Sequence, residues 1–512
     1  MSTPRRNDRR GPPPRPRTRT DGADADANRG YPRGPRSRTD GADADANQGY
    51  PRGPRSRTDS ADADANQGYS RGPRDERRGD PRDERRSQPR DPRLRAERRA
   101  LSNVGGPSIL TGDPDAAALL ATALDVQGSL TAEESARAHV HGFHSYPARM
   151  HPETARRLVE ALSRPGDRVL DPFCGSGTVL VEARLAGRAA LGIDANPLAV
   201  RLARLKASGS TERERARLVA EARTIAALAD ERRKARAGAS RRYGPEDMAL
   251  FDAHVLLELD SLRAGLDAID NEALRADLEL VLSAILTKIS RRTSDTSEHE
   301  QPRRIAGGYP ARLFIRKAEE LARLLAEVAP ALEAAPPAVV EAGDARVLRG
   351  IAPASIDLVV TSPPYPGVYD YLAHHEARLR WLRLPRDLFD DAEIGARRHL
   401  DPLGSGGGQA RWQAELHGVL TALARVLRPG APAVLLLADS VIAGAPVYAL
   451  DVLGAAAPAA GLKLHAAASQ DRPHFHIPTA RAFAERPRRE HAILLTRAER
   501  PERKPKPRKS TR

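Results

Sequence analysis

The chain of 512 residues has a single cysteine, Cys174, which excludes an internal disulfide and any multi-cysteine zinc or iron–sulfur site. Aromatic residues are only 4% of it while prolines number 42, so part of the chain is expected to build no packed core. Long apolar runs are also missing. The opening MSTPRRNDRR is polar, and the most apolar later stretch, residues 444–462, is interrupted by Asp451 and Pro458. The sequence therefore predicts a soluble, cytoplasmic chain with neither a signal peptide nor a membrane span.

What is present is charge, and its position is informative. The net charge is +15, of which residues 1–100 carry +9 and residues 497–512 carry +6, so the middle is neutral. Basic ends raise affinity for a polyanion by releasing its counterions without reading sequence, which suits a nucleic-acid partner and a nucleoid-associated location. Residues 19–74 repeat with a period of 19, with Tyr31, Tyr50 and Tyr69 in register. No repeat has an apolar face to stack, so residues 1–100 read as a disordered basic region rather than a solenoid. Asp24, Asp26 and Asn28 look like the start of a calcium loop, but the closing Glu is missing.

From about residue 115 short aliphatic runs alternate with helical periodicity. Strands are expected at 168–173, 189–194, 338–342, 356–361, 433–438, 463–469 and 491–496, with helices around 177–186, 313–329, 410–427 and 446–460. Alternation of this kind predicts an α/β fold with a mostly parallel sheet, helices on both faces, and ligands at the carboxyl ends of the strands. The expected organisation is a first core segment at 115–206, a helical insertion at 207–312, a second core segment at 313–496 and a basic tail at 497–512.

Two constellations carry chemistry. The first, Asp171-Pro172-Phe173-Cys174-Gly175-Ser176-Gly177-Thr178, joins a strand to a helix. Its glycines let the backbone approach a ligand, and the helix start behind them offers free N–H groups. It is neither a Walker loop nor a GxGxxG fingerprint. Asp194 closes the next strand about twenty residues on, where a carboxylate can accept hydrogen bonds from a ribose diol. The second is Thr361-Ser362-Pro363-Pro364-Tyr365, directly after a strand. Consecutive prolines fix the path, so the Ser362 hydroxyl and the Pro363 carbonyl can point to one place beyond the strand end, with the Tyr365 ring beside them. Two acceptors and an aromatic face are what a flipped-out base with an exocyclic amine needs.

With DPFCGSGT and TSPPY together, residues 139–206 and 338–496 resemble the S-adenosylmethionine-dependent, site-specific DNA amino-methyltransferases of the N4-cytosine/N6-adenine group. The resemblance implies a Rossmann-like methyltransferase sheet with a final antiparallel strand. It implies S-adenosylmethionine held by Asp171, Phe173, Gly175, Gly177 and Thr178, with Asp194 on its ribose and Asp344 near its adenine. A further cofactor segment, FHSYPARMHPETARRLVEAL, contributes Tyr146, Pro147, His151 and Pro152. The catalytic motif is carried to Ser362, Pro363, Pro364 and Tyr365. A Ser at its head is commoner among enzymes resembling N4-cytosine methylases, which makes N4 of cytosine in double-stranded DNA the expected target. N6 of adenine, or an RNA amine such as guanine N2, are the alternatives; a binder that keeps the fold without the activity is a third. The C5 route on cytosine needs a cysteine nucleophile, and Cys174 already sits in the cofactor loop. The expected recognition region is the insertion, where Arg291, Arg292, Arg303, Arg304 and Arg312 flank polar residues.

Two sets of histidines stand close in sequence: His139, His141, His144 and His151, and the pair His474 and His476. Their spacing matches no standard ligand set, so no metal is expected and polar contacts near cofactor or DNA are preferred. His374, His375 and Trp381 are expected on the core or surface of a helix rather than in a base pocket.

Overall fold

The computed structural model describes residues 106–126, 134–296, 303–473 and 477–498, all within the compact unit Pro81–Arg512. The repeats, His474, His476, the middle of the polar stretch before 303 and the tail from 499 lie outside the described residues.

An eight-stranded sheet organises the unit. Its strands are β1 (Ser108–Gly112), β2 (Arg168–Asp171), β3 (Ala189–Asp194), β4 (Val339–Ala342), β5 (Leu358–Thr361), β6 (Pro432–Ala438), β9 (Leu462–Asp471) and β10 (Arg489–Arg497). A separate hairpin is formed by β7 (Ser440–Ile442) and β8 (Ala445–Val447). The spatial order is β1-β9-β10-β6-β5-β2-β3-β4. Strands β2 to β6 pair in parallel, β10 runs antiparallel between β6 and β9, and β1 adds an antiparallel edge. This is a Rossmann-like sheet with a late antiparallel strand, the arrangement the resemblance implies. The chain winds outward from β2 through β3 to β4, then returns to the other side at β5. The gap between β2 and β5 is thus the switch point, where a crevice opens beyond the strand ends.

Alternation along each strand fixes which residues face which layer, because successive side chains point to opposite faces. Val169, Val360, Val434 and Leu494 enter one apolar cluster; their neighbours Leu170, Val359, Leu435 and Ile493 enter the other. The first face is covered by α1 (Pro114–Leu124), α2 (Pro152–Leu162), α3 (Thr178–Leu185) and α4 (Pro197–Ala207). The insertion helices α5 (Glu212–Lys234), α6 (Pro245–Leu250), α7 (Ala253–Asp267) and α8 (Glu272–Ile289) join that cluster, as does α9 (Tyr309–Ala334). Helix α5 starts on a capping box, with Thr211 and Glu214 each satisfying the other's backbone N–H. Helices α10 (Tyr371–Trp381), α11 (Asp387–Ala392) and α12 (Arg397–Leu400) follow β5, and α13 (Gly404–Val426) and α14 (Ala449–Ala456) cover the second face.

The insertion therefore shares one continuous core with the sheet, and α9 runs across the boundary expected at 312/313 without a break. Strand β1 and the β7–β8 hairpin have too few residues to show a period in sequence. Helix α13 begins six residues before the expected 410, inside the run GSGGGQ that helix propensity disfavours. Packing explains part of this, since a Cβ on Gly408 would lie 2.6 Å from Ile442 Cγ2 and 2.8 Å from the Leu400 carbonyl oxygen.

Candidate active site

The loop after β2 is drawn toward the end of β3. Gly175, at φ +50°, donates its N–H to Asp194 Oδ2 at 2.8 Å, while Asn196 N–H reaches Oδ1 of the same carboxylate at 2.8 Å. Burial pushes the Asp194 carboxyl up to about 6 against these hydrogen bonds. Asn196 caps α4 through Leu198 N–H, and its Nδ2 donates to His375 Nδ1 at 2.9 Å. His375 is fully buried and burial pushes it down to about 3, so it is neutral with its proton on Nε2. The Tyr146 hydroxyl lies 3.3 Å from the same Asn196 amide, and the Tyr146 ring stands 4.9 Å from His375.

These groups open onto a cavity at the switch point. Tyr146, Pro172, Phe173, Gly175, Asp194 and Asn196 line one side; Ser362 and Pro364 line another. The two motifs, almost two hundred residues apart in sequence, thus share one space. A Cβ on Gly175 would meet the Tyr146 ring at 3.3 Å, so the loop and the Tyr146 segment are as close as glycine allows. The Ser362 hydroxyl donates to the Leu436 carbonyl at 3.3 Å, which leaves its lone pairs as acceptors. Pro363 is buried beneath it. The Tyr365 hydroxyl donates to Glu490 at 2.8 Å, and Glu490 is in turn paired with buried Arg472 at 2.7 Å. The Tyr365 ring is therefore anchored at its far end rather than swinging freely.

Other residues read from the sequence take structural positions. Asp171 lies under the loop, accepting from Phe173 N–H at 3.1 Å and Thr361 Oγ1 at 2.7 Å, and burial pushes it up to about 7. Gly177, at φ +85°, faces α4 and not the cavity: a Cβ there would fall 2.9 Å from Ala203 Cα. Thr178 is buried at the start of α3. His151 caps α2, accepting Glu153 N–H on Nδ1 at 3.1 Å, and Pro152 is its first residue. Pro147 adjoins Tyr146 but does not line the cavity. Asp344 holds Arg346 in a two-point pair, at 2.9 Å to Nε and 2.7 Å to Nη2. Its neighbours Gly343 and Ala345 form the cavity wall instead.

The segment after TSPPY supplies what the sequence did not announce. Phe389, Ala392, Glu393 and Ile394 close the cavity. Buried Glu393 accepts Tyr371 N–H at 2.6 Å at the start of α10 and pairs with Arg398 at 2.8 Å. Arg378, 1% exposed on α10, bonds Asp295 and Thr287 of the insertion and His144 beside Tyr146, at 2.8, 2.7 and 3.1 Å. One guanidinium thus ties three distant segments together. Trp381 is buried, its indole N–H on Asp247 at 3.0 Å, and His374 is half-buried against Tyr369, so the helical reading of this group holds. Of the insertion arginines, Arg291 is committed to Asp252 at 2.7 Å and Arg303 to carbonyls at the end of α8. Arg292, Arg304 and Arg312 are exposed. No helix among the described residues is long and apolar enough to cross a membrane.

Residues 125–205 match the family model described as DNA methylase. The type II methyltransferase M.MjaII of Methanocaldococcus jannaschii is 34% identical over 82 residues, 16% of this chain and 16% of that protein. The tRNA (guanine(10)-N2)-dimethyltransferase of Methanothermobacter thermautotrophicus is 47% identical over 60 residues, 12% of this chain and 18% of that protein. The type II methyltransferase M.MvaI of Kocuria varians is 38% identical over 69 residues, 13% and 15% of the two chains. The matched segments span less than a fifth of each of these relatives.

Proposed function

We propose, from a segment that carries the signature of the N6/N4 amino-methyltransferases and with it S-adenosylmethionine as cofactor, that this protein methylates the exocyclic amine of a base in double-stranded DNA, at N4 of cytosine. The observation that supports this reading is one cavity lined by both Asp194 with its loop and Ser362 and Pro364 of the second motif. The residues fit the cofactor: a carboxylate acceptor for a diol, two aromatic walls in Tyr146 and Phe173, and a glycine exactly where a side chain would crowd Tyr146. When bound, S-adenosylmethionine supplies a methyl group already activated on a sulfonium.

The chain's own residues then have a limited task. An aromatic amine is a poor nucleophile because its lone pair is delocalised into the ring, and the site must favour the tetrahedral nitrogen of the transition state. Ser362, whose hydroxyl donates its hydrogen bond to the Leu436 carbonyl, and the Pro363 carbonyl accept hydrogen bonds from the amine N–H groups. Tyr365, fixed by Glu490, offers its ring to the base. Anchoring of these groups before the base arrives means little reorganisation is left for the reaction itself.

Digestion of DNA incubated with the protein and mass spectrometry of its nucleosides tests the assignment, with N4-methylcytosine expected. N6-methyladenine alone would replace the base but keep the class. The likeness to a tRNA guanine-N2 enzyme favours RNA as the second reading, and product confined to tRNA would establish it. Ser362→Ala should slow transfer by about 10²-fold, the scale of one lost transition-state hydrogen bond, with cofactor affinity measured by calorimetry unchanged.

A further inference from the structure

The short 3₁₀ turn His139–Gly142 stands against α3, the helix that starts at the cofactor loop, and brings two imidazoles to a carboxylate. His141 Nε2 is 2.6 Å from Glu182 Oε1, and the His139 and His141 rings are 4.7 Å apart. One donor atom from each of His139, His141 and Glu182 falls within 4.8 Å of the others. His141 is fully buried and Glu182 is 5% exposed, while His139 is partly buried. The Nδ1 atoms of both histidines are buried without a hydrogen-bond partner.

We propose that His139, His141 and Glu182 form a transition-metal site that binds one Zn²⁺ ion. Two imidazoles and one carboxylate are a donor set zinc accepts, with a fourth position for water. Tetrahedral coordination brings donor atoms to about 3.4 Å from one another, so the His139 ring would turn inward and the His141–Glu182 contact would open from 2.6 Å to admit the ion. Hard ions such as Mg²⁺ and Ca²⁺ want oxygen donors and are disfavoured here. Zinc would fasten the segment that carries Tyr146 to the helix behind Gly175, two parts of the same cavity wall. The spacing His-x-His alone gave no sign of this, because Glu182 lies forty-one residues from His141.

The test uses the full chain after chelator treatment. Titration with Zn²⁺ by calorimetry should give one site per chain and raise the melting temperature. Co²⁺ in its place should give visible absorption of tetrahedral or five-coordinate intensity. Affinity should fall at least tenfold in Glu182→Gln, which keeps a hydrogen-bonding partner for His141, and in His139→Ala or the more conservative His139→Asn. It should be unchanged in His474→Ala/His476→Ala. No Zn²⁺ uptake by the wild-type chain overturns the proposal, as does undiminished affinity in the Glu182 and His139 variants or loss of binding in the His474/His476 variant.

Discussion

At the scale of single residues, the site works through groups whose ordinary chemistry is altered by burial. Asp194 is held near 6 by desolvation, in spite of two backbone N–H groups that favour its charged form. Only the ionised carboxylate offers acceptors on both oxygens to a diol. Affinity for S-adenosylhomocysteine should therefore weaken as pH falls through about 6, and calorimetry from pH 5 to 8 should show it. In Asp194→Asn that pH dependence should disappear along with most of the affinity. Ser362 shows the opposite economy, since nothing about it is ionised and its role rests on where its one proton goes.

At the scale of elements, the loop between β2 and α3 uses its two positive-φ glycines for different ends. Gly175 keeps the cavity open to Tyr146, whereas Gly177 lets α3 pack on α4. The family resemblance carries both to the cofactor. The structure corrects this: Gly177→Ala should lower stability by roughly 1–3 kcal/mol, from backbone strain at φ +85° and overlap with Ala203, as measured by urea unfolding. Gly175→Ala should cost less stability and act mainly on ligand affinity. The α10–α12 segment is the other element of note, because Glu393 and Arg378 brace it against both the cavity and the insertion.

At the scale of the whole molecule, two dependences follow. Asp171 and Asp194 have carboxyl pKa values raised by burial to about 7 and about 6, so they hold protons in the fold that the unfolded chain releases. Their contribution to stability is full below about pH 4 and declines as pH rises through those folded values. His144 and His375, pushed down by burial, lose stability as pH falls below about 6.5, which opposes the gain from the acids. Glu182 and Asp277, raised by burial to about 8 and about 7, add to this decline between pH 6.5 and 8.5, whereas buried Lys206, pushed well down by desolvation, opposes it. Separately, the ends that carry the whole net +15 should act on affinity and not on choice of site. Removing residues 1–100 should weaken DNA binding at low salt and flatten its salt dependence, with the methylated sequence unchanged when mapped.

Local pattern determined the sheet strands β2 to β6, β9 and β10, because aliphatic runs and the residues that end them are properties of neighbours along the chain. It also determined the two motifs, and the expectation that they belong to one site. It could not place His151, Asp171, Gly177 or Asp344, whose roles depend on what packs opposite: a helix start, Thr361, Ala203 and Arg346. Nor could it reveal Glu393, Arg378 or Glu182, since no local signal marks a charged helix residue as buried. Those positions were decided only when the chain closed around the switch point, where desolvation favours pairing of buried charges and gives distant residues their function.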